Sequence, residues 1–293
     1  MFQHLLTSLI VMSLPLTVNA LEWSIDKEEG WNQDRIIKTY FHHSELQRQT
    51  AWKLVGNADL KDKHILDFGC GDGKITAELS QLVHQGSIRG VDISKEMIRF
   101  AGTLFPKRLY PKLEFTEINS SADLQGQYDI ILSFCVFHLV PDPLQVLIDL
   151  QNKLVDGGEI YLVLPGSKDT SFFQAAEKTF AKFGLEPVWQ KRKAHGLSIK
   201  TLEGCQQLLE QAHLTIRRLE MLDDENLFID SSEFLEWLKG TYTANWHIPF
   251  DQGDSFFSEM IRQMNELDPE FIDDQKVVHL KYPMIYVEAT KSN

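Results

Sequence analysis

The sequence predicts an α/β protein built on a parallel sheet, and three observations carry that reading. The run His64-Ile65-Leu66-Asp67-Phe68 passes directly into glycines at 69, 71 and 73 and then into an amphipathic segment, Lys74 to Gln85. That order is strand, tight glycine turn, helix. From residue 60 to 165 short β-rich runs alternate with helix-length segments, and strands so spaced are joined by right-handed crossovers. Finally, Tyr128 to Phe134 is apolar enough to be a central strand covered on both faces.

The elements follow in order. Trp31 to Ala58 carries a helical pattern broken near His42-His43, and Ser44-Glu45-Leu46-Gln47 reads as a capping box that starts a second helix. After the glycine loop, Ile88 to Asp92 is a second strand ending in an acid, and Ser94 is the N-cap of a helix over Lys95 to Leu104. Leu113 to Thr116 is a third strand and Tyr128 to Phe134 a fourth. Asp142-Pro143 opens a helix with a capping acid and a proline at its first position. Asp156-Gly157-Gly158 ends that helix, and Glu159 to Leu164 is the fifth strand. Beyond it lie a helix over Phe172 to Phe183, a loop, a helix over Leu202 to His213 capped by Thr201, and a strand over Leu214 to Met221. Asp230 and Glu233 form a second capping box before Phe234 to Tyr242. A helix over Ser255 to Leu267 precedes the closing strand, Val277 to Thr290.

Composition narrows the function classes. The 293 residues are 43% hydrophobic and carry a net charge of −13, which opposes a broad nucleic-acid or anionic-membrane surface. Lys191-Arg192-Lys193 is the one dense basic cluster. Cysteines at 70, 135 and 205 make neither a C-x-x-C pair nor a metal spacing, and Cys135 reads as a small buried hydrophobe. Residues 1–20 stand apart. Leu5 to Val18 is apolar and Val18-Asn19-Ala20 offers small residues for cleavage, but Met1 to His4 has no Lys or Arg. The segment reads as a cleaved secretory signal, an uncleaved anchor or a miscalled start, and at about fourteen residues it is short for a stable membrane span. A signal of this kind suggests a secreted or periplasmic protein, and the other two readings a membrane-anchored or cytoplasmic one.

The glycine loop decides between ligands. The dinucleotide pattern G-x-G-x-x-G needs a third glycine where Lys74 stands, and no G-x-x-x-x-G-K-[ST] is present. Asp92, about twenty residues on and at a strand end, can accept both hydroxyls of a ribose; its plainer role is an acid at a helix start.

Asp67 with Gly69, Gly71 and Gly73, then Gly-Val-Asp-Ile-Ser at 90–94, then Tyr-Asp-Ile-Ile-Leu-Ser-Phe-Cys-Val-Phe-His-Leu-Val-Pro-Asp at 128–142, together resemble the successive motifs of class I S-adenosylmethionine (SAM)-dependent methyltransferases. The chain looks most like the small-molecule carboxyl O-methyltransferases, similar to juvenile-hormone-acid and trans-aconitate methyltransferases. The resemblance implies a Rossmann-like seven-stranded sheet in the order 3-2-1-4-5-7-6, its last strand antiparallel, with helical lid insertions. Residues 21–58 would be an N-terminal helical lid, and 59–293 the methyltransferase domain with insertions 166–200 and 223–275. It also implies that SAM is held by Asp67, Gly69, Cys70, Gly71, Asp92, Ile93, Asn119, Ser120 and Phe134. Tyr40, Gln47, His138 and Leu139 would face the acceptor. Two departures stand out. His138-Leu139 replaces a His-Trp pair, which removes an aromatic wall of the acceptor pocket, and an Asp gives way to Asn119, whose amide oxygen still accepts from an adenine amino group.

The SAM sulfonium is already a strong electrophile, so the protein must align the acceptor and exclude water. A carboxylate acceptor, with a pKa near 4, needs no general base. A phenol or amine would, and His138 is the one candidate for it. Gln47 is either an acceptor contact or part of its capping box. Two other functions remain, a non-catalytic SAM-binding module and a nicotinamide-dependent oxidoreductase, the latter opposed by Lys74. Aromatics crowd the three insertions (Trp31, Tyr40, Phe41, Phe172, Phe173, Trp189, Trp237, Trp246), favouring an apolar, water-excluding pocket for a small, partly hydrophobic acid.

Overall fold

The computed structural model describes residue 31 and residues 34–166, 170–194 and 200–292. The signal-like segment 1–20 lies outside the described residues. Among them the sheet has seven strands in the order β3-β2-β1-β4-β5-β7-β6. These are β1 (His64–Phe68), β2 (Ser87–Asp92), β3 (Leu113–Glu117), β4 (Tyr128–Phe134), β5 (Leu154–Pro165), β6 (Leu214–Phe228) and β7 (Val278–Lys291). The first five are parallel, and β7 is antiparallel to both β5 and β6. The strand order changes direction at β1 and β4, whose carboxyl ends therefore flank the crevice where open α/β sheets take their ligands.

Apolar residues form two layers. On one face Leu66, Ile131, Leu162 and Val287 meet helices α5 (Pro143–Lys153) and α8 (Leu202–Gln211). The other face, with Ile65, Leu132, Val163 and Tyr286, is covered by α2 (Glu45–Val55), α6 (Ser171–Lys182), α9 (Ser231–Trp246) and α10 (Gly253–Leu267). Phe172 is the hub of that second layer. It is wholly buried, with the rings of Tyr282, Tyr242 and Trp246 at 5.1, 5.3 and 6.0 Å. The remaining helices are α1 (Asp34–His43), which packs on α9, then α3 (Lys74–Ser80), α4 (Lys95–Leu104) and α7 (Glu186–Ala194).

Five sequence expectations change, and the first is that β6 runs past Met221 to Phe228, into the stretch expected to be an insertion from 223. Ser44 makes no side-chain cap, so the box at 44–47 does not form; both of its members bond to distant parts of the chain instead. Helix α3 stops at Ser80, whose hydroxyl donates to the Ala77 carbonyl. Strand β5 begins at Leu154, because Leu154 pairs with Tyr128 before a bulge that places Gly157 at φ 73°. The stretch read as a loop before residue 194 contains α7, a short polar helix with little periodicity to betray it. The other caps form as expected, at Ser94, Asp142 and Thr201. At α9 Asp230 accepts from Ser232 and Glu233, while Glu233 reaches back one residue further, to the Ile229 N–H.

Candidate active site

The glycine loop turns at the carboxyl end of β1 through three left-handed residues, Gly69, Gly71 and Gly73, at φ 77°, 53° and 74°. They serve different ends. A Cβ on Gly69 would lie 2.3 Å from Val136 Cγ2, and one on Gly73 2.5 Å from Phe115 Cζ, so both glycines permit close packing. A Cβ on Gly71 would meet only Tyr40, at 4.0 Å, so this residue is bare toward an open space. The N–H groups of Gly69 and Cys70 donate to the Val91 carbonyl at 2.8 and 3.0 Å, pinning the loop to the end of β2. Asp92 completes the attachment: Oδ2 accepts from the Gly71 N–H at 3.0 Å and Oδ1 from the Ser94 N–H at 2.8 Å.

Three carboxylates gather here. Asp67 is buried under the loop, accepts the Thr76 hydroxyl at 2.6 Å, and is pushed up to about 7 by burial, with the charges of Asp92 and Asp72 adding to the rise. Burial also raises Asp92 and Asp72, against the backbone N–H groups that each accepts. Lys74 does not neutralise the group from the cavity side. Its ammonium bonds to the Phe41 carbonyl and to Ser44 Oγ at 3.0 Å, and stands 4.4 Å from the Phe41 ring. The residue that breaks the dinucleotide pattern thus ties the glycine loop to the α1–α2 junction.

One cavity of about 990 Å³ runs from this loop across the ends of β4, β5 and β7. Of the SAM-side residues expected from sequence, Gly69, Gly71, Asp92, Ile93, Asn119, Ser120 and Phe134 line it; Asp67 and Cys70 do not. Asp67 turns to Thr76 beneath the loop, and Cys70 packs on Gly90, where a Cβ would meet its sulfur at 2.9 Å. Tyr40, Gln47, His138 and Leu139 all line the cavity. Tyr40 lies over Gly71 with Trp31 edge-on at 5.2 Å. His138 sits in a single turn, Phe137–Leu139, after β4.

The far half of the cavity is aromatic. Phe173, Trp189, Trp237 and Trp246 line it, so the wall that His138-Leu139 lacks comes from α6, α7 and α9 instead. Cys135 is not the buried filler expected from sequence. It is half-buried on the cavity wall at φ 57°, a conformation a non-glycine residue pays to adopt, and its N–H donates to the Val163 carbonyl at 2.7 Å. Burial pushes its thiol up to about 12. Sequence reasoning also missed Thr241, Tyr242, Asn245 and Tyr282. Gln47 Nε2 donates to Thr241 Oγ1 at 3.3 Å and Asn245 Nδ2 to the Thr241 carbonyl at 2.8 Å, while the Tyr242 hydroxyl donates to Tyr282 Oη at 2.8 Å. No local signal links positions 194 or 40 residues apart; only the aromatic content of the insertions pointed this way.

A family profile described as methyltransferase domain matches residues 59–215. The chain belongs to that family. Over 267 residues it is 25% identical to trans-aconitate 2-methyltransferase of Afipia carboxidovorans, covering 89% of this chain and 99% of that protein. A second relative, arsenite methyltransferase of Rattus norvegicus, is 34% identical over 132 residues, but the match spans only 41% of this chain and 36% of that one. Among solved structures, the YcgJ protein of Bacillus subtilis superimposes with a TM-score of 0.57 at 16% identity, over 86% of this chain and 99% of that one, which bears on the fold alone. The protein is a SAM-dependent methyltransferase with the class I sheet.

The residues present fit SAM on their own evidence. A bare Gly71 opens onto the cavity, and the carboxylates of Asp67, Asp72 and Asp92 favour a ligand carrying positive charge, as the sulfonium and ammonium of SAM do, over a pyrophosphate.

Proposed function

We propose that the protein transfers the methyl group of SAM to the carboxylate oxygen of a small organic acid. The observation that carries this reading is the single cavity joining the glycine loop and Asp92 to an aromatic room that holds the paired hydroxyls of Tyr242 and Tyr282 and the amides of Gln47 and Asn245. When bound, SAM supplies a methyl carbon on positively charged sulfur. Gly69, Gly71, Ile93, Asn119, Ser120 and Phe134 form the bed for it, and Asp92 takes the ribose hydroxyls. Asp67 and Cys70 support that bed from below. Tyr40 and Trp31 cover the loop, and the aromatics of α6, α7 and α9 keep water from the reacting centre. An ionised carboxylate is already nucleophilic, so no proton need be removed and His138 has only to help orient it.

A relative that matches over nearly its full length is named for trans-aconitate, an organic acid, which supports this acceptor class; the arsenite enzyme shares only part of the chain. Helix α1, lying between the glycine loop and α9, is the natural lid over the acceptor entrance, with Gln47 just inside it. The test is incubation with methyl-labelled SAM and a metabolite extract. Label should appear in small molecules and be released as methanol by mild base, the mark of an ester. Base-stable label, or none at all, overturns the reading. Calorimetry with SAM and with NAD removes the dehydrogenase alternative if only SAM binds.

A further inference from the structure

The cavity holds more than a methyl acceptor of minimal size would need. About 990 Å³ lies at the top of the roughly 300–1,000 Å³ range of single-ligand pockets, so a second molecule of substantial bulk fits beside SAM. The charge on its walls is specific too. Among the described lining residues Lys200 is the one Lys or Arg, against three carboxylates, Asp92, Asp142 and Glu177. A polyanion finds few cationic partners here.

The tyrosine pair supplies what a single carboxylate needs. Tyr242 and Tyr282 are buried, line the cavity and pack their rings on Phe172. Two phenols carry two O–H protons, of which the pair consumes one; the Tyr282 O–H has no acceptor among the described residues. A hydroxyl that already accepts one hydrogen bond is polarised into a stronger donor. Burial raises both phenols above their ordinary range, so they stay protonated at neutral pH. Cys135, the residue that follows β4, lines the same cavity as both phenols and as Tyr40 above Gly71.

We infer that the Tyr242–Tyr282 hydroxyl pair receives the acceptor's carboxylate and that the acceptor is a monocarboxylic acid with a bulky apolar body lying in the room walled by Phe173, Trp189, Trp237 and Trp246. The inference rests on the carboxyl methyl transfer proposed above. A neutral O–H donor orients the anion and leaves its second oxygen nucleophilic, where an ammonium or guanidinium would hold the charge down. The bond that forms is carboxylate oxygen to methyl carbon, the bond that breaks is methyl carbon to sulfur, and the sulfur keeps the electron pair as a neutral thioether. The product ester has no charge, so its hydrogen bond to Tyr282 weakens and release follows.

The experiment compares dodecanoic, phenylbutanoic and trans-aconitic acids as acceptors for the wild-type protein and for Tyr282→Phe and Tyr242→Phe, with SAM affinity measured calorimetrically on each. The apolar acids should be esterified with kcat/KM exceeding that for trans-aconitate by about 100-fold or more, as desolvating unpaired charge predicts. Tyr282→Phe should raise the KM of the apolar acids roughly 10- to 100-fold, the loss of one charge-assisted hydrogen bond, and leave SAM affinity within about 2-fold. Comparable turnover of trans-aconitate, or an unmoved KM in Tyr282→Phe, overturns this inference while leaving ester formation standing. If no acid is esterified by the wild type, the inference falls together with the function it rests on. Should Tyr282→Phe lose SAM binding through misfolding, Tyr242→Phe and the wild-type acid preference decide in its place.

Discussion

Substituting alanine for each glycine of the loop in turn should separate packing from ligand binding within five residues. All three occupy left-handed backbone, so each alanine incurs about 1–2 kcal/mol of conformational strain. At Gly69 the new Cβ also falls 2.3 Å from one Val136 methyl and 2.8 Å from the other, and at Gly73 2.5 Å from the Phe115 ring and 2.8 Å from Ala101. Neither neighbour is the tip of a flexible chain, and relieving such overlap costs about 1–3 kcal/mol more. Gly69→Ala and Gly73→Ala should therefore lose about 2–5 kcal/mol in urea denaturation without ligand. Gly71→Ala meets nothing nearer than Tyr40 at 4.0 Å and should lose only the backbone strain, about 1–2 kcal/mol. Calorimetry should reverse the ranking, since the Gly71 methyl projects into the space proposed for SAM and should weaken binding about 100-fold or more. Wild-type SAM affinity in Gly71→Ala, or wild-type stability in Gly69→Ala, would refute the division of labour.

Three further outcomes can be checked. Asp67, raised from 3.8 to about 7, favours the protonated folded state, so its contribution to the stability of the ligand-free protein is complete below 3.8 and lost as pH rises through about 7. Cationic SAM favours the ionised carboxylates, so its affinity measured by calorimetry should fall by up to about tenfold per pH unit below 7, and Asp67→Asn should flatten that profile. Asp92→Ala should weaken SAM binding by about 2–4 kcal/mol, because it removes the proposed ribose acceptor and the anchor of the Gly71 N–H; unchanged calorimetry would dismiss the ribose role. Lys74→Met keeps the apolar stem but drops the bonds to Phe41 and Ser44, and should speed hydrogen exchange in α1 by the equivalent of about 1–2 kcal/mol, with no change as the opposing result.

Where the sequence was legible, local chemistry and fold coincided. The strand–glycine–helix order at 64–80, the caps at Ser94, Asp142 and Thr201, and the largely apolar run of β4 each express a constraint acting within a few residues. The position of β7 between β5 and β6 came from family resemblance, since two β-rich runs at 214–221 and 277–290 leave their neighbours undetermined. Misreadings arose where a local motif was spent at long range. Ser44 and Gln47 spell a capping box, yet the geometry turns Ser44 to Lys74 and Gln47 to Thr241, because burial beside the cavity outweighs a helix cap. Cys135 looked like a filler because nothing near it in sequence reveals that the chain turns left-handed after β4. The acceptor room was legible only as an excess of aromatics; which of them face one another depends on α9 and β7 meeting across 40 residues.

The place of β7 also sets the order in which the protein can be made. Strand β6 forms no partnership with the parallel strands and joins the sheet only through β7, which follows it in sequence by some fifty residues of roof helices. As the chain is synthesised, β1 to β5 can assemble with the glycine loop in place while β6 waits without a strand partner. Pairing β5 with β7 closes a loop of more than a hundred residues, so this is the slow, high-separation step. Tyr282 arrives with it, placed one residue before Pro283 in the strand that completes the sheet. A nascent chain stalled before residue 278 would thus present the bed proposed for SAM without the room proposed for the acceptor, which is complete only when the sheet closes.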